Sequence, residues 1–213
     1  MSFCSPSRAF PPQQSDIEES LRPKLLPLGI GDVSVPLGAH VANWYRERDE
    51  KFSTLAAYFA AGVDAGQFCV GALPEEDIDD FRAHAAGLKE GLANGQVQIL
   101  PAETFYFKNK RFRPVQLVKS FPRIIESAAE NGFKSVRAAG EIPWRLMVHL
   151  SIPGFFEYEE RVNADFFDCY PVIGMCLFDM ERYGTEWTLG ILRTHPMMLA
   201  KGVAFENPSY YQG

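Results

Sequence analysis

The feature that most constrains this chain is a set of short apolar segments separated by stretches with helical spacing. Phe68–Leu73 (FCVGAL) and Val172–Phe178 (VIGMCLF) contain no charged residue. A strand covered on one side alternates apolar and polar residues, whereas one that is apolar throughout must be covered on both sides. Further strands are predicted at His40–Tyr45 (HVANWY), Val97–Leu100 (VQIL) and Ser135–Ala139.

Between them lie predicted helices. Glu50–Ala65 follows Asp49 as N-cap and stops at Gly66. A second helix starts at Pro74, with Glu75, Glu76 and Asp77 in its first turn where acidic groups suit the dipole. It breaks near Gly87 and ends at Asn94-Gly95. Glu103–Arg113 is an aromatic and basic connection, and Pro114–Asn131 is a helix distorted at Pro122. Gly154–Phe167 and Thr185–Thr194 are helical, and Gly202–Tyr211 adds an edge strand or hairpin. Strands alternating with helices of this length predict an α/β fold of three layers, a mainly parallel sheet with helices on both faces.

Residues 1–36 are different in kind. Pro6, Pro11, Pro12, Pro23, Pro27 and Pro36 rule out long helices and central strands. This segment is expected to be a tail or linker with a short helix around Asp16–Leu21, and residues 37–213 to form the folded domain.

The formal charge of −6 gives no general attraction to phosphate backbones, so direct nucleic-acid binding is not expected. The basic stretch Lys108, Lys110, Arg111 and Arg113 reads as a solvated loop. No apolar run reaches the roughly 18 residues of a membrane span, and the N-terminus lacks a secretory h-region. Cys4, Cys69, Cys169 and Cys176 form no CxxC pair and no disulfide framework; Cys69 and Cys176 lie in apolar runs, as small buried hydrophobes do. A reducing cytoplasm is the expected setting.

A parallel α/β sheet invites a nucleotide-binding reading, but the residues do not support one. GxxxxGK[ST], GxGxxG and GxSxG are absent, and the first strand-to-helix turn, Trp44-Tyr45-Arg46-Glu47-Arg48-Asp49, has no glycine. His40, His84, His149 and His195 form no HxH or HExxH pair, so no local metal motif and no cofactor are expected. His40 reads as a hydrogen-bonded core histidine and His195 as a cation at a helix C-terminus. Glu141 follows a buried strand at its carboxyl end, where ligand contacts concentrate. Glu157 and Arg161 can pair locally at i,i+4, while Glu159 and Asn163 share another face. Trp144, Phe155, Tyr158 and Phe105-Tyr106-Phe107 line either an apolar pocket or ordinary core.

Seven elements, in order, resemble the MEDS sensory domain family of methanogens and methylotrophs, first described in a dichloromethane-responsive regulator. They are His40 with Tyr45 (HxxxxY), Phe59 to Gly66, Gly95-Gln96 with Leu100-Pro101-Ala102, Gly140 to Trp144, the helix bearing Glu157, Tyr158, Glu159, Arg161 and Asn163, Cys176 with Asp179, and Leu192 to Pro196. The resemblance covers about residues 37–211. It implies a RecA/KaiC-like fold without a P-loop, and a non-catalytic sensory role. A small, apolar ligand is then expected near the strand carboxyl ends, with His40, Tyr45, Glu141, Trp144, Glu157, Tyr158, Arg193 and His195 as ligand-binding residues. The family's regulator has a separate DNA-binding region that has no counterpart here, so output is expected through a partner, a histidine kinase or transcriptional regulator. Homo-oligomerisation stays open. Two alternatives also stay open: an interaction module without ligand, using Phe205, Tyr210 and Tyr211, and a divergent nucleotide-binding enzyme with Glu141 and His40 as an acid–base pair.

Overall fold

The computed structural model describes residues 24–108, 111–147 and 150–210. Cys4, the helix expected around Asp16–Leu21, Lys110, His149 and Tyr211 lie outside the described residues. The chain begins with a hairpin of β1 (Leu25–Pro27) and β2 (Ser34–Pro36). Then follow β3 (His40–Tyr45), α1 (Arg48–Asp64), β4 (Phe68–Leu73), α2 (Ile78–His84), α3 (Lys89–Ala93) and β5 (Val97–Pro101). The middle contains α4 (Ala102–Tyr106), a small hairpin of β6 (Phe107–Lys108) and β7 (Arg111–Phe112), α5 (Pro114–Val118), α6 (Pro122–Glu130) and β8 (Val136–Gly140). The chain continues through α7 (Trp144–Met147), α8 (Ile152–Val162), β9 (Val172–Asp179), α9 (Thr185–Thr194), β10 (Met197–Ala200) and β11 (Val203–Glu206).

The main sheet has seven strands in the order β11-β10-β3-β9-β8-β4-β5. All neighbours are parallel except the edge pair β10–β11. Each strand divides its side chains between two apolar layers. Val41, Cys69, Leu73, Ile173, Met175 and Leu177 face α1, α2 and the β1–β2 hairpin. Ala42, Phe68, Val70, Val136, Val172 and Phe178 face α4, α5, α6, α8 and α9. The strict alternation follows from the pleat, and it produces the three layers that the unbroken apolar strands require.

Several local expectations shift. α1 begins at Arg48, with Glu47 at the N-cap position, so Asp49 and Glu50 lie inside the first turn and act on the dipole rather than as a cap. The segment 114–131 is two helices, because Pro122 cannot donate to a preceding turn and opens its own helix instead. The helix expected to reach Phe167 is α-helical only to Val162; Asn163–Phe167 is a π-turn, which brings both Phe166 and Phe167 onto the sheet.

The largest departure is at the N-terminal segment. Residues 25–36 are packed against the body, with Leu26, Leu28, Ile30 and Val35 buried in the α1-side core. The prolines exclude central strands, but a two-stranded hairpin at the surface tolerates them. Arg137 holds this hairpin in place. Its guanidinium is fully buried and donates to Gln67 Oε1 (2.8 Å), Leu28 O (3.1 Å), Tyr58 O (3.0 Å) and Pro27 O (2.7 Å). It also lies over the Tyr58 ring at 4.8 Å. Arg137→Ala leaves three carbonyls, those of Leu28 and Tyr58 buried, short of a donor and frees the hairpin. The expected loss is about 3–4 kcal/mol in urea unfolding, with faster amide exchange at Leu28; a loss below about 1 kcal/mol would show that the hairpin is held by its apolar contacts alone.

Candidate functional site

Two polar clusters lie on opposite faces of the sheet. The first stands at the strand carboxyl ends beside α1. Tyr45 ends β3 and donates to Glu141 Oε1 at 2.6 Å; Glu141 follows β8. Lys51, in the first turns of α1, reaches Glu141 Oε2 at 2.8 Å and Asp77 Oδ2 at 2.5 Å. Arg48 adds a hydrogen bond to Asp77 from Nε at 3.0 Å. Burial raises the Glu141 carboxyl above its ordinary range, opposed by the Lys51 ammonium.

This is the place where a strand–turn–helix phosphate loop would sit. Here the turn is Arg46-Glu47, the Arg46 amide is taken by the Glu50 carboxylate at 3.0 Å, and the Lys51 ammonium is held by two carboxylates. The helix N-terminus thus already carries its anions from within the chain. The cluster is a closed ion network rather than a phosphate cradle.

The second cluster lies on the other face, and distant segments build it. His40 starts β3, Cys176 lies within β9, Glu159 is on the buried stripe of α8, and His195 directly follows α9. One ligating atom from each of these four residues lies within 4.8 Å of the others. His40 Nδ1 bonds Asn163 Oδ1 at 2.8 Å, and His40 Nε2 is 3.2 Å from Cys176 Sγ. Glu159 Oε2 is 3.9 Å from His40 Nε2 and 3.8 Å from His195 Nε2. Phe167 stacks on the His40 ring at 4.2 Å, and Gly174 admits it, since a Cβ at that position would overlap the ring.

Burial sets the protonation of this cluster. It lowers His40 to about 4, pushes His195 well below its ordinary value, raises Glu159 to about 8 and raises the Cys176 thiol. Every member is therefore neutral near pH 7.

An apolar cavity of about 60 Å³ opens beside it, with His40 and Cys176 in its wall. Val70, Phe121, Ile124, Val136, Phe166 and Phe167 are among the apolar lining, together with Tyr106 and Tyr158.

The structure places the expected ligand residues in several environments. His40 and His195 meet in the second cluster, and Tyr158 lines the cavity. Tyr45 and Glu141 meet in the first cluster, on the opposite face from His40. Trp144 packs edge-on against Tyr183 at 5.5 Å. Glu157 pairs with Arg161 on the surface, and Arg193 is exposed. Neither faces the cavity, because both fall on the outer sides of their helices. Glu159, Cys176, Asn163, Lys51 and Asp77 were absent from the expected set. For Glu159 the sequence held a signal: Phe155, Tyr158, Glu159 and Val162 share one helical stripe, so a carboxylate lies among buried residues.

Lys51→Met would leave Glu141 and Asp77 facing each other in the interior, with an expected cost of about 3–5 kcal/mol at neutral pH. The deficit depends on pH. A buried carboxyl with its pKa raised on folding contributes stability that is fully present below the unfolded value, about 4.3 for Glu, and lost as pH rises through the folded value. Removing the ammonium raises Glu141 further, so the deficit grows from acid toward neutral pH. Urea unfolding of both proteins across that range checks this, and a deficit independent of pH would assign the loss to packing.

Residues 39–196 match the model of MEDS, the methanogen/methylotroph, DcmR sensory domain. The transcriptional repressor DcmR of Methylorubrum extorquens is 22% identical over 195 residues, covering 90% of this chain and 70% of the repressor. A solved KaiC-like protein of Pyrococcus horikoshii superposes with a TM-score of 0.59 at 13% identity, over 84% of this chain and 81% of that one. The fold is therefore RecA/KaiC-like. No helix among the described residues is long and apolar enough to cross a membrane. Since the match spans most of the chain and every strand from β3 to β9, this chain belongs to the MEDS sensory domain family.

Proposed function

We propose that the chain senses a small apolar molecule bound in the cavity between the sheet and α4, α6 and α8, and relays its occupancy to a partner protein. The observation that carries this reading is the cavity itself, a mainly apolar chamber with His40, Cys176, Tyr106 and Tyr158 among its lining. A preformed apolar pocket with a few converging polar groups is the usual form of a small-molecule site. Apolar cavities of about 150 Å³ take benzene; at about 60 Å³ this one suits a molecule of roughly two to four heavy atoms.

Membership in a sensory family and similarity to a transcriptional repressor support a regulatory role. A route for the relay is physically continuous. Asn163 accepts from His40 in the cavity wall and donates to Thr194 O at 2.7 Å at the end of α9. Beyond it, Asn207 donates to His195 O at 2.8 Å next to the edge strand β11, where Val203 and Phe205 are exposed. A ligand moves this route only if it favours one of two arrangements of it. The exposed edge is the surface offered to a kinase or regulator, while the closed ion network at Lys51 speaks against a nucleotide-driven output.

Xenon and apolar solutes of about one or two carbons serve as probes. Methyl resonances of Val70, Ile124, Val136 and Val162 are expected to shift on binding in the full chain, and Ala138→Leu, which fills the cavity, is expected to abolish the shifts while the fold is retained. Shifts absent from these methyls, or unchanged by Ala138→Leu, would overturn the reading.

A further inference from the structure

The His40 cluster contains two of the three buried side-chain atoms that lack a hydrogen-bond partner among the described residues, Glu159 Oε2 and His195 Nε2. Buried polar atoms are nearly always paired, so adjacent orphans call for a specific cause.

The outer nitrogens of both histidines fix their tautomers. Asn163 donates to Thr194 O through Nδ2, which turns its Oδ1 toward His40; His40 Nδ1 therefore carries the proton. His195 Nδ1 donates to the carbonyl of Ile191 at 3.0 Å. In both rings Nε2 is then unprotonated: His40 Nε2 can accept from the Cys176 thiol, His195 Nε2 has no partner, and Glu159 Oε2 lies 3.9 and 3.8 Å from the two. At 3.8 and 3.9 Å a carboxylic proton is too distant to bond either ring well. The Cys176 sulfur stands 3.2 Å from His40 Nε2. A second void of about 10 Å³, lined in part by Glu159 and Cys176, adjoins the group.

We infer that His40, Glu159, Cys176 and His195 form a binding site for a single divalent transition-metal ion, zinc by the character of the ligand set. Imidazole, thiolate and carboxylate together are a zinc donor set, with bonds of about 2.0–2.3 Å, so neighbouring donors around a tetrahedral ion sit about 3.3–3.7 Å apart. The separations of 3.2, 3.8 and 3.9 Å bracket that range and all four donors lie within 4.8 Å of one another, so movements of up to about an ångström close the shell. Histidine ligands whose far N–H is held by an oxygen acceptor are the usual outer arrangement of a metal site. The charges also balance. Cys176 and Glu159 each release a proton to solvent, and a thiolate, a carboxylate and two neutral imidazoles around a divalent ion give a neutral unit, which a buried position requires.

The site goes beyond the sensing reading and stands without it. If both hold, the ion forms the floor of the cavity, since His40 and Cys176 belong to each.

The test uses the full chain, stripped with a chelator and titrated with Co²⁺. One equivalent is expected to produce the intense d–d bands of four-coordinate cobalt and a thiolate-to-cobalt charge-transfer band, both bleached by Zn²⁺. Cys176→Ser is expected to remove the charge-transfer band, and Cys169→Ser to leave it unchanged. His195→Gln is expected to weaken Co²⁺ binding by at least about tenfold. A folded chain without the tetrahedral spectrum, or a charge-transfer band that survives Cys176→Ser, would overturn the site. Xenon binding measured on the stripped protein separates the two ideas: xenon shifts without a cobalt spectrum would end the metal proposal and leave the cavity reading intact.

Discussion

A polar side chain that enters a sheet covered on both faces must find all its partners inside, because no water reaches it. That constraint organises this molecule. Arg137 meets it with one side-chain amide and three backbone carbonyls, and in doing so fastens the N-terminal hairpin to the sheet. Lys51 meets it with two carboxylates, and closes the crevice at the strand ends. The His40 cluster does not meet it: two of its atoms remain without partners. Two satisfied networks and one unsatisfied one, in the same sheet, point to different uses. The first two hold structure; the third is the one proposed above to take a metal ion.

Much of the architecture was legible because it rests on local pattern. The continuous apolar runs at β4 and β9 fixed the double coverage, and the alternation with helices implied parallel strands. The hairpin at residues 25–36 was not legible, since its anchor, Arg137, lies more than a hundred residues away in sequence, and a charged residue inside a predicted strand says nothing about which carbonyls it will meet. The π-turn at Asn163–Phe167 was hidden for a similar reason: it serves the packing of Phe167 on His40 and Gly174, a tertiary demand rather than a local propensity.

The candidate site was half legible, and parity explains which half. His40 and Tyr45 bound one strand and were expected to share one pocket. They are five residues apart, and side chains an odd number apart on a strand point to opposite faces. At about 3.3 Å per residue they also stand roughly 16 Å apart along it. Tyr45 therefore joins Glu141 on one face and His40 joins Cys176 on the other. Cys176 belongs with His40 by the same rule, since Ala42 is its partner in the β3–β9 register and His40 lies one even step away. What no spacing rule supplied was the arrival of Glu159 and His195, brought in by two helices that cross the same face.

The ligand reading changes accordingly. Parallel sheets usually bind at the strand carboxyl ends, but here that place is filled by Lys51, Asp77, Glu141 and the acidic first turn of α1. With it closed, the apolar cavity lies on the flat of the sheet over the small residues Ala72 and Ala138, while Tyr106 and Phe167 occupy the room that Gly140 and Gly174 leave. At about 60 Å³, this cavity has room only for the small ligand proposed above. His40 in its wall is hydrogen-bonded to Asn163, which donates to Thr194 O at the end of α9, the route proposed above for the relay. The cavity wall includes His40, a member of the cluster whose Glu159 Oε2 and His195 Nε2 have no hydrogen-bond partner among the described residues, whereas the satisfied Arg137 and Lys51 networks lie on the other face of the sheet.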